Sequence, residues 1–117
     1  MNFDLGVLRQ GCPCKKPHIL AVRDIWLENG AIGRMPEVLS EWKQIALIAD
    51  MNTYDAAGER IAHILRNNGL VCDTVILPPE GLHADEYGVA LTAEALKGSE
   101  DLLVAVGSGT IHDIARF

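Results

Sequence analysis

The chain has 117 residues, of which 49% are hydrophobic and 22% are charged, a composition typical of one globular domain with a packed core. Ten Lys and Arg residues stand against 16 Asp and Glu, giving a formal net charge of −6. We therefore expect no nucleic-acid partner and no anionic membrane surface as a partner. The sequence has no apolar run long enough to span a membrane and no signal-peptide pattern, which predicts a cytoplasmic protein.

Three cysteines, Cys12, Cys14 and Cys72, are too few and odd in number for a disulfide framework. Cys12 and Cys14 are followed by His18, so three possible zinc ligands are present. The CxC spacing and the lack of a fourth ligand nearby favour reduced loop thiols, and we assign no metal ligand. Cys72 lies inside an apolar run and is predicted to be buried in the core.

The first half of the chain contains two apolar runs and one helical pattern. "HILAVRDIWLENG" predicts a strand or a bent pair of strands that ends at Asn29 and Gly30. "AIGRMPEVLSEW" has apolar residues at spacings of three and four, which predicts a short helix with Pro36 in its first turn. "QIALIAD" predicts a buried strand that ends at Asp50.

The second half continues the alternation of helices and strands. Thr53 or Asn52 is predicted to cap a helix that Gly69 ends, and "LVCDTVIL" predicts the next strand. Asp85 is predicted to cap a further helix that ends at Gly98, and "LLVAV" predicts the last strand.

This order indicates an α/β fold with a Rossmann-like parallel sheet and flanking helices. Right-handed crossovers bring the carboxyl ends of parallel strands to one edge of the sheet, where ligands bind in open α/β folds. Asp50, the loop after Leu77 and the turn Gly107, Ser108, Gly109 should therefore share that edge.

The glycine turn has the chemistry of a phosphate site. Gly107 and Gly109 remove side chains where a ligand approaches the backbone, and the following helix offers free N–H groups. Thr110 is predicted to cap this helix, with Asp113 completing a weak capping box. The GxGxxG fingerprint is incomplete because His112 stands at the third glycine position, so an ordinary strand-to-helix turn is the alternative.

Asp50 closes a strand where a carboxylate can accept hydrogen bonds from the hydroxyls of an adenosine ribose. The alternative is a solvated strand-end or N-cap aspartate. Together with the glycine turn, Asp50 predicts a dinucleotide cleft. Its negative charge repels a 2′-phosphate and favours NAD over NADP.

The tail "VAVGSGTIHDIARF" resembles the glycine-rich segment of sn-glycerol-1-phosphate dehydrogenases. These enzymes belong to a larger group with glycerol dehydrogenases, iron-containing alcohol dehydrogenases and 3-dehydroquinate synthases. "NGAIGRMPEVLSEW" and "ALIADMNTYDAAGERI" are similar to earlier segments of the same family, so the resemblance covers about residues 25–117. His112 stands where the family pattern has Asn.

The resemblance implies that the chain is the front portion of a longer enzyme. Residues 1–24 form an N-terminal segment without an assigned role, and residues 25–117 form an incomplete, dehydroquinate synthase-like N-terminal NAD(P)-binding domain. The helical metal-binding domain is then absent. Family members hold a divalent metal, Zn, Ni or Fe, through one Asp or Glu and two His residues of that later domain.

By resemblance, Asp50 binds the adenosine ribose and Asp113 lies toward the nicotinamide and substrate. No catalytic residue is assigned. The implied reaction of the whole enzyme is reversible hydride transfer between NAD(P)H and dihydroxyacetone phosphate, giving sn-glycerol-1-phosphate, so the partner is a small phosphorylated polyol or ketone. This chain alone is expected to be inactive. The residues implied to line the pyrophosphate are Gly107, Ser108, Gly109, Thr110 and Ile111.

Two other functions stay open at this point. One is a 3-dehydroquinate synthase-like enzyme, which also binds NAD, although GSGT in place of three consecutive glycines weighs against it. The other is a non-catalytic, flavodoxin-like nucleotide-binding module. The sequence leaves open whether the chain forms a homo-oligomer.

Overall fold

The computed structural model describes residues 4–117, which divide into two compact units. The first unit ends at Ala31 and the second comprises Ile32–Phe117. The predicted N-terminal segment 1–24 falls within the first unit, where its description begins at Asp4.

The first unit has little regular structure. It contains a 3-10 turn at Val7–Arg9, and the Arg9 Nη2 donates a hydrogen bond to the Val22 carbonyl at 3.1 Å. The predicted strand in residues 18–30 is wrong, because no strand forms there and Ile19 is 95% exposed. A parallel strand needs a neighbouring edge to pair with, and the apolar run alone does not show whether one exists.

The second unit contains a three-stranded parallel sheet. Its strands are β1 (Gln44–Asp50), β2 (Val71–Leu77) and β3 (Leu102–Val106), in the spatial order β2-β1-β3. All three were predicted within one residue of these bounds. The central strand β1 is buried on both faces from Ile45 to Ala49, as expected of a parallel strand with helices on either side.

Short helices precede and follow the first strand. A 3-10 turn, Ala31–Arg34, leads into α1 (Met35–Val38), which has Pro36 in its first turn as predicted. After β1 the chain forms α2 (Met51–Thr53), a π-helical turn (Tyr54–Gly58) and α3 (Glu59–Asn67). Gly69, with a φ of 81°, follows this helix and confirms the predicted left-handed stop.

Two further helices follow the other strands. The helix α4 (Glu86–Ala95) begins after Asp85, whose Oδ1 accepts a hydrogen bond from the Gly88 N–H at 2.9 Å, as the capping prediction requires. The helix α5 (Gly109–Arg116) begins directly after the glycine turn.

The two faces of the sheet carry separate hydrophobic clusters, because alternate residues of a strand point to opposite faces. Ile45, Leu47 and Ala49 pack with α3, whereas Ile48 packs with Ile111 and other residues. Helices therefore cover both faces, which confirms the predicted α/β, Rossmann-like arrangement. The second cluster comprises Ile48, Val75, Leu77, Ile111 and Ile114.

Candidate functional site

Two loops meet at the carboxyl edge of the sheet. Ala49 of β1 lies opposite Val106 of β3, so Asp50 is level with Gly107. The Thr53 Cγ2 lies 3.3 Å from the position that a Cβ on Gly107 would occupy. The start of α2 and the glycine turn are thus within van der Waals reach of each other, and the two predicted binding loops share one edge.

Asp50 is the N-cap of α2. Its Oδ1 accepts a hydrogen bond from the Thr53 N–H at 2.8 Å, and the Thr53 Oγ1 accepts one from the Asp50 N–H at 3.1 Å. The prediction of Asn52 or Thr53 as the cap is therefore wrong, although Thr53 completes the capping box. Asp50 is half-buried, and no described residue donates a hydrogen bond to its Oδ2.

Gly107 is required by close packing inside the turn. A Cβ at this position would lie 2.8 Å from Ile111 Cγ1 and 3.1 Å from Ile111 Cβ. Both distances are shorter than an ordinary carbon–carbon contact. The missing side chain lets the first turn of α5 fold back against the end of β3, so that Ile111 is fully buried.

Packing among the described residues does not require a glycine at position 109. No heavy atom lies within 4 Å of the position of a Cβ at Gly109, although it is the first residue of α5. An open space beside a helix N-terminus allows a ligand to approach the backbone closely. The open side of Gly109 fits a phosphate-bearing ligand.

The start of α5 carries N–H groups that the described residues leave unpaired. Ser108 is the N-cap, but its side chain makes no capping hydrogen bond. The prediction of Thr110 as the cap is wrong, since Thr110 lies inside the helix at its second position. No described residue accepts a hydrogen bond from the N–H groups of Gly109, Thr110 or Ile111, the arrangement that binds anions at helix N-termini.

His112 and Asp113 follow this turn and are exposed. The His112 Nε2 lies 3.1 Å from the Gly107 carbonyl oxygen, so the ring nitrogen donates to that oxygen and closes the turn. Sequence reasoning missed this contact because it spans five residues and needs the turn geometry. Asp113 forms no hydrogen bond or ion pair with the described residues, so its carboxylate is accessible.

One group of residues between Asp4 and Phe117 offers three metal-ligating atoms in close proximity, and it lies in the first unit. It consists of Cys12, Cys14 and His18. Hydrogen bonds from the backbone and the thiol of Cys14 lower the pKa of the Cys12 thiol. The described residues form no cluster of one acidic residue with two histidines.

A cavity of about 320 Å³ lies elsewhere in the second unit, between α4 and the end of α5. Ala84, Asp85, Glu86, Val89 and Phe117 line it. None of these residues belongs to the two loops at the sheet edge, and the lining is mostly apolar. We therefore do not assign the predicted dinucleotide cleft to this cavity.

No helix in residues 4–117 has the length and apolar character needed to cross a membrane.

The sequence and fold were compared with known proteins. A family model described as iron-containing alcohol dehydrogenase matches residues 26–117. A glycerol-1-phosphate dehydrogenase [NAD(P)+] of Halalkalibacterium halodurans is 34% identical over 111 residues, which cover 90% of this chain and 28% of that protein. The enzyme of the same name from Bacillus velezensis is 39% identical over 79 residues, covering 65% of this chain and 20% of that protein.

The fold is similar to a solved structure of glycerol dehydrogenase from Schizosaccharomyces pombe. The TM-score is 0.65 at 20% sequence identity, and the match covers 74% of this chain and 22% of the other. The chain thus spans less than a third of the length of the curated relatives that it matches. With the glycine turn, the strand order and the family model in agreement, the chain belongs to the iron-containing alcohol dehydrogenase family.

Proposed function

We propose that this chain supplies the ribose- and pyrophosphate-binding part of an NAD(P)-dependent, metal-dependent dehydrogenase. The complete enzyme reduces dihydroxyacetone phosphate to sn-glycerol-1-phosphate, or acts on a related polyol. The observation that supports this most strongly is the position of Asp50 level with Gly107 at one sheet edge. The names of the curated relatives support the choice of substrate.

Asp50 is the proposed ribose ligand. Its capping hydrogen bonds with Thr53 hold the carboxylate in place and occupy Oδ1, while Oδ2 is available to accept from the ribose hydroxyls. A carboxylate accepts up to about four hydrogen bonds, so capping and ribose binding are compatible. The same negative charge disfavours a 2′-phosphate, which supports a preference for NAD over NADP.

The glycine turn is the proposed pyrophosphate site. The unpaired N–H groups of Gly109, Thr110 and Ile111 and the helix dipole of α5 favour a negatively charged group. Gly107 and Ser108 form the turn that directs this helix end toward the sheet edge. The bare side of Gly109 leaves room for the phosphate oxygens.

Asp113 is the proposed contact on the nicotinamide and substrate side, one helical turn beyond the phosphate site. In the whole enzyme, a divalent metal held by a later domain supplies Lewis-acid polarisation of the substrate carbonyl. The residues of this chain position the coenzyme, and we expect no hydride transfer from the 117-residue chain alone.

Asp50→Asn tests the ribose assignment. Asn is an equally good N-cap, so the variant keeps the fold while losing the charged acceptor. Because hydrogen bonds to a charged group contribute about 1.5–3 kcal/mol, NAD⁺ should bind about ten- to a hundredfold more weakly. Discrimination against NADP⁺ should decrease. Isothermal titration calorimetry with both coenzymes measures the two effects.

The matched control is Asp55→Asn, which removes the same charge from an exposed residue on the helix that follows. It should leave both affinities unchanged. Equal affinity of the wild-type chain and Asp50→Asn for NAD⁺ would show that this carboxylate does not bind the ribose. An equal loss in both variants would indicate only a general charge effect.

A further inference from the structure

Three metal-ligating side chains lie together in the first unit, whereas the residues of the proposed coenzyme site belong to the second unit. The ligating atoms of Cys12, Cys14 and His18 all lie within 4.8 Å of one another, and Cys14 Sγ is 3.0 Å from His18 Nε2. All three side chains are exposed, whereas Cys72 is buried in the core. Core packing therefore does not account for the cluster.

A tight turn brings the two thiols toward the histidine. The Lys15 N–H donates to the Cys12 carbonyl at 3.0 Å, and Lys15 has a φ of 61° in the left-handed region. Pro13 occupies the second position of this turn, which its fixed φ favours. The CxC spacing alone favoured unligated loop thiols, but the turn supplies the proximity that this spacing does not predict.

The distances suit a tetrahedral site. Zinc–sulfur and zinc–nitrogen bonds of ordinary length place two sulfurs about 3.8 Å apart, and a sulfur and a nitrogen about 3.6 Å apart. The sulfur–sulfur separation that zinc needs is shorter than 4.8 Å, the limit within which all three ligating atoms lie. The distance between Cys14 Sγ and His18 Nε2 needs to increase by only about half an ångström. An exposed loop accommodates such a change without disturbing a packed core.

We propose that Cys12, Cys14 and His18 bind one thiophilic divalent cation of the zinc type. Thiolates and imidazole are the donors that select Zn²⁺ over the hard cations Mg²⁺ and Ca²⁺. Three protein ligands leave the fourth position of the tetrahedron to water. The donor set differs from the acidic residue and two histidines that the family resemblance implies for the reaction's metal, so this is a second metal site.

The ion has a structural role in this loop. Between Asp4 and Gly30, the described regular structure consists of the 3-10 turn Val7–Arg9 and an isolated bridge at Trp26, and the Arg9–Val22 hydrogen bond is an exposed contact. Metal binding fixes three side chains within seven residues, and binding free energy of this kind orders small, loop-rich segments. The cation thus holds the 12–18 loop in its turn conformation.

Cobalt titration of the reduced, metal-free 117-residue chain tests the site. Co²⁺ should give thiolate-to-metal charge-transfer absorption and the visible bands of tetrahedral coordination, saturating at one equivalent and disappearing when Zn²⁺ is added. Cys14→Ser and His18→Asn should each weaken Co²⁺ binding by about tenfold or more, at least the effect of losing an outer-shell partner. The matched thiol control, Cys72→Ala, should keep the bands.

Alkylation with iodoacetamide gives a readout that does not depend on any variant folding. One equivalent of Zn²⁺ should protect Cys12 and Cys14 of the wild-type chain, as measured by peptide mass spectrometry. The proposal is overturned by the absence of charge-transfer absorption, by bands that persist in Cys14→Ser, or by alkylation of Cys12 and Cys14 that Zn²⁺ does not slow.

Discussion

Gly107 and Gly109 are two residues apart in one turn, yet the surroundings of their Cα atoms differ. A side chain at Gly107 would collide with Ile111, whereas one at Gly109 would enter open space. The sequence shows both as glycines and does not separate the two roles. Only the fold reveals that Gly107 is needed for internal packing and that Gly109 lies beside open space.

Alanine substitutions separate these roles. Gly107→Ala should lower the free energy of unfolding by about 1–3 kcal/mol, the usual cost of overpacking. Gly109→Ala should change it by less than about 0.5 kcal/mol, because the added methyl meets no atom within 4 Å. It should nevertheless weaken NAD⁺ binding, since the methyl enters the proposed pyrophosphate space. Urea denaturation and calorimetry measure the two effects, and equal destabilisation by both variants would contradict the assignment.

Cys72 shows how burial changes a single group. Desolvation in the core raises the pKa of the Cys72 thiol above its ordinary value of 9.0, against the opposing effect of Arg66. The folded chain therefore keeps the thiol protonated at a pH where the unfolded chain ionises it. This contribution to stability is complete below pH 9.0 and is lost as the pH rises through the folded pKa.

The measurable consequence is a pH-dependent difference between wild type and Cys72→Ala. The variant should be less stable near neutral pH because it leaves a cavity. The difference in free energy of unfolding between the two chains should become smaller above pH 9.0, as measured by urea denaturation at a series of pH values. A difference that stays constant with pH would show that the thiol does not ionise differently on unfolding.

At the scale of elements, the strands and one cap followed from local patterns. Continuous apolar runs predicted β1, β2 and β3, because strands buried on both faces need apolar residues at every position. The strand predicted within residues 18–30 does not form, because this segment is not buried between helices as the three observed strands are. Its apolar residues, such as Ile19, are exposed, and no local pattern shows whether a neighbouring strand is available for pairing.

The N-cap residues of the helices were predicted with mixed success. Asp85 was correctly predicted as the N-cap of α4, whereas the caps of α2 and α5 were placed two or three residues too late. Both errors arise because little or no chain separates the strand from the helix: Ser108 is the N-cap of α5 after a turn of only two residues, and α2 follows β1 directly. The strand-ending residue, Asp50, therefore takes the capping role itself.

Replacement of Asp85 tests the cap of α4. Asp85→Ala removes the acceptor for the Gly88 N–H and should lower the free energy of unfolding by about 1 kcal/mol. The neighbouring Glu86→Ala, at an exposed position in the first turn, should have a much smaller effect. Thermal denaturation followed by circular dichroism compares the two variants. Similar melting temperatures for both would show that the cap contributes little.

At the scale of the molecule, the sequence predicted the parallel sheet and the family, and the family model confirms the latter over residues 26–117. It also predicted that Asp50 and the glycine turn share one edge, which the register of β1 and β3 confirms. The contacts of Thr53 and His112 with the turn were missed, because they depend on packing between elements that are distant in sequence or on the shape of the turn. The coenzyme-binding roles of Asp50 and of the glycine turn stay a prediction.

The central claim is that one coenzyme spans both loops, and a chemical-shift titration tests it most directly. NAD⁺ added to the ¹⁵N-labelled chain should shift the backbone amide signals of Gly107–Ile111 and of the Asp50–Thr53 turn together, with one dissociation constant. ADP, which carries the ribose and both phosphates, should shift the same signals. Shifts confined to one loop, shifts only around the cavity lined by Val89 and Phe117, or no shifts at all would contradict the account.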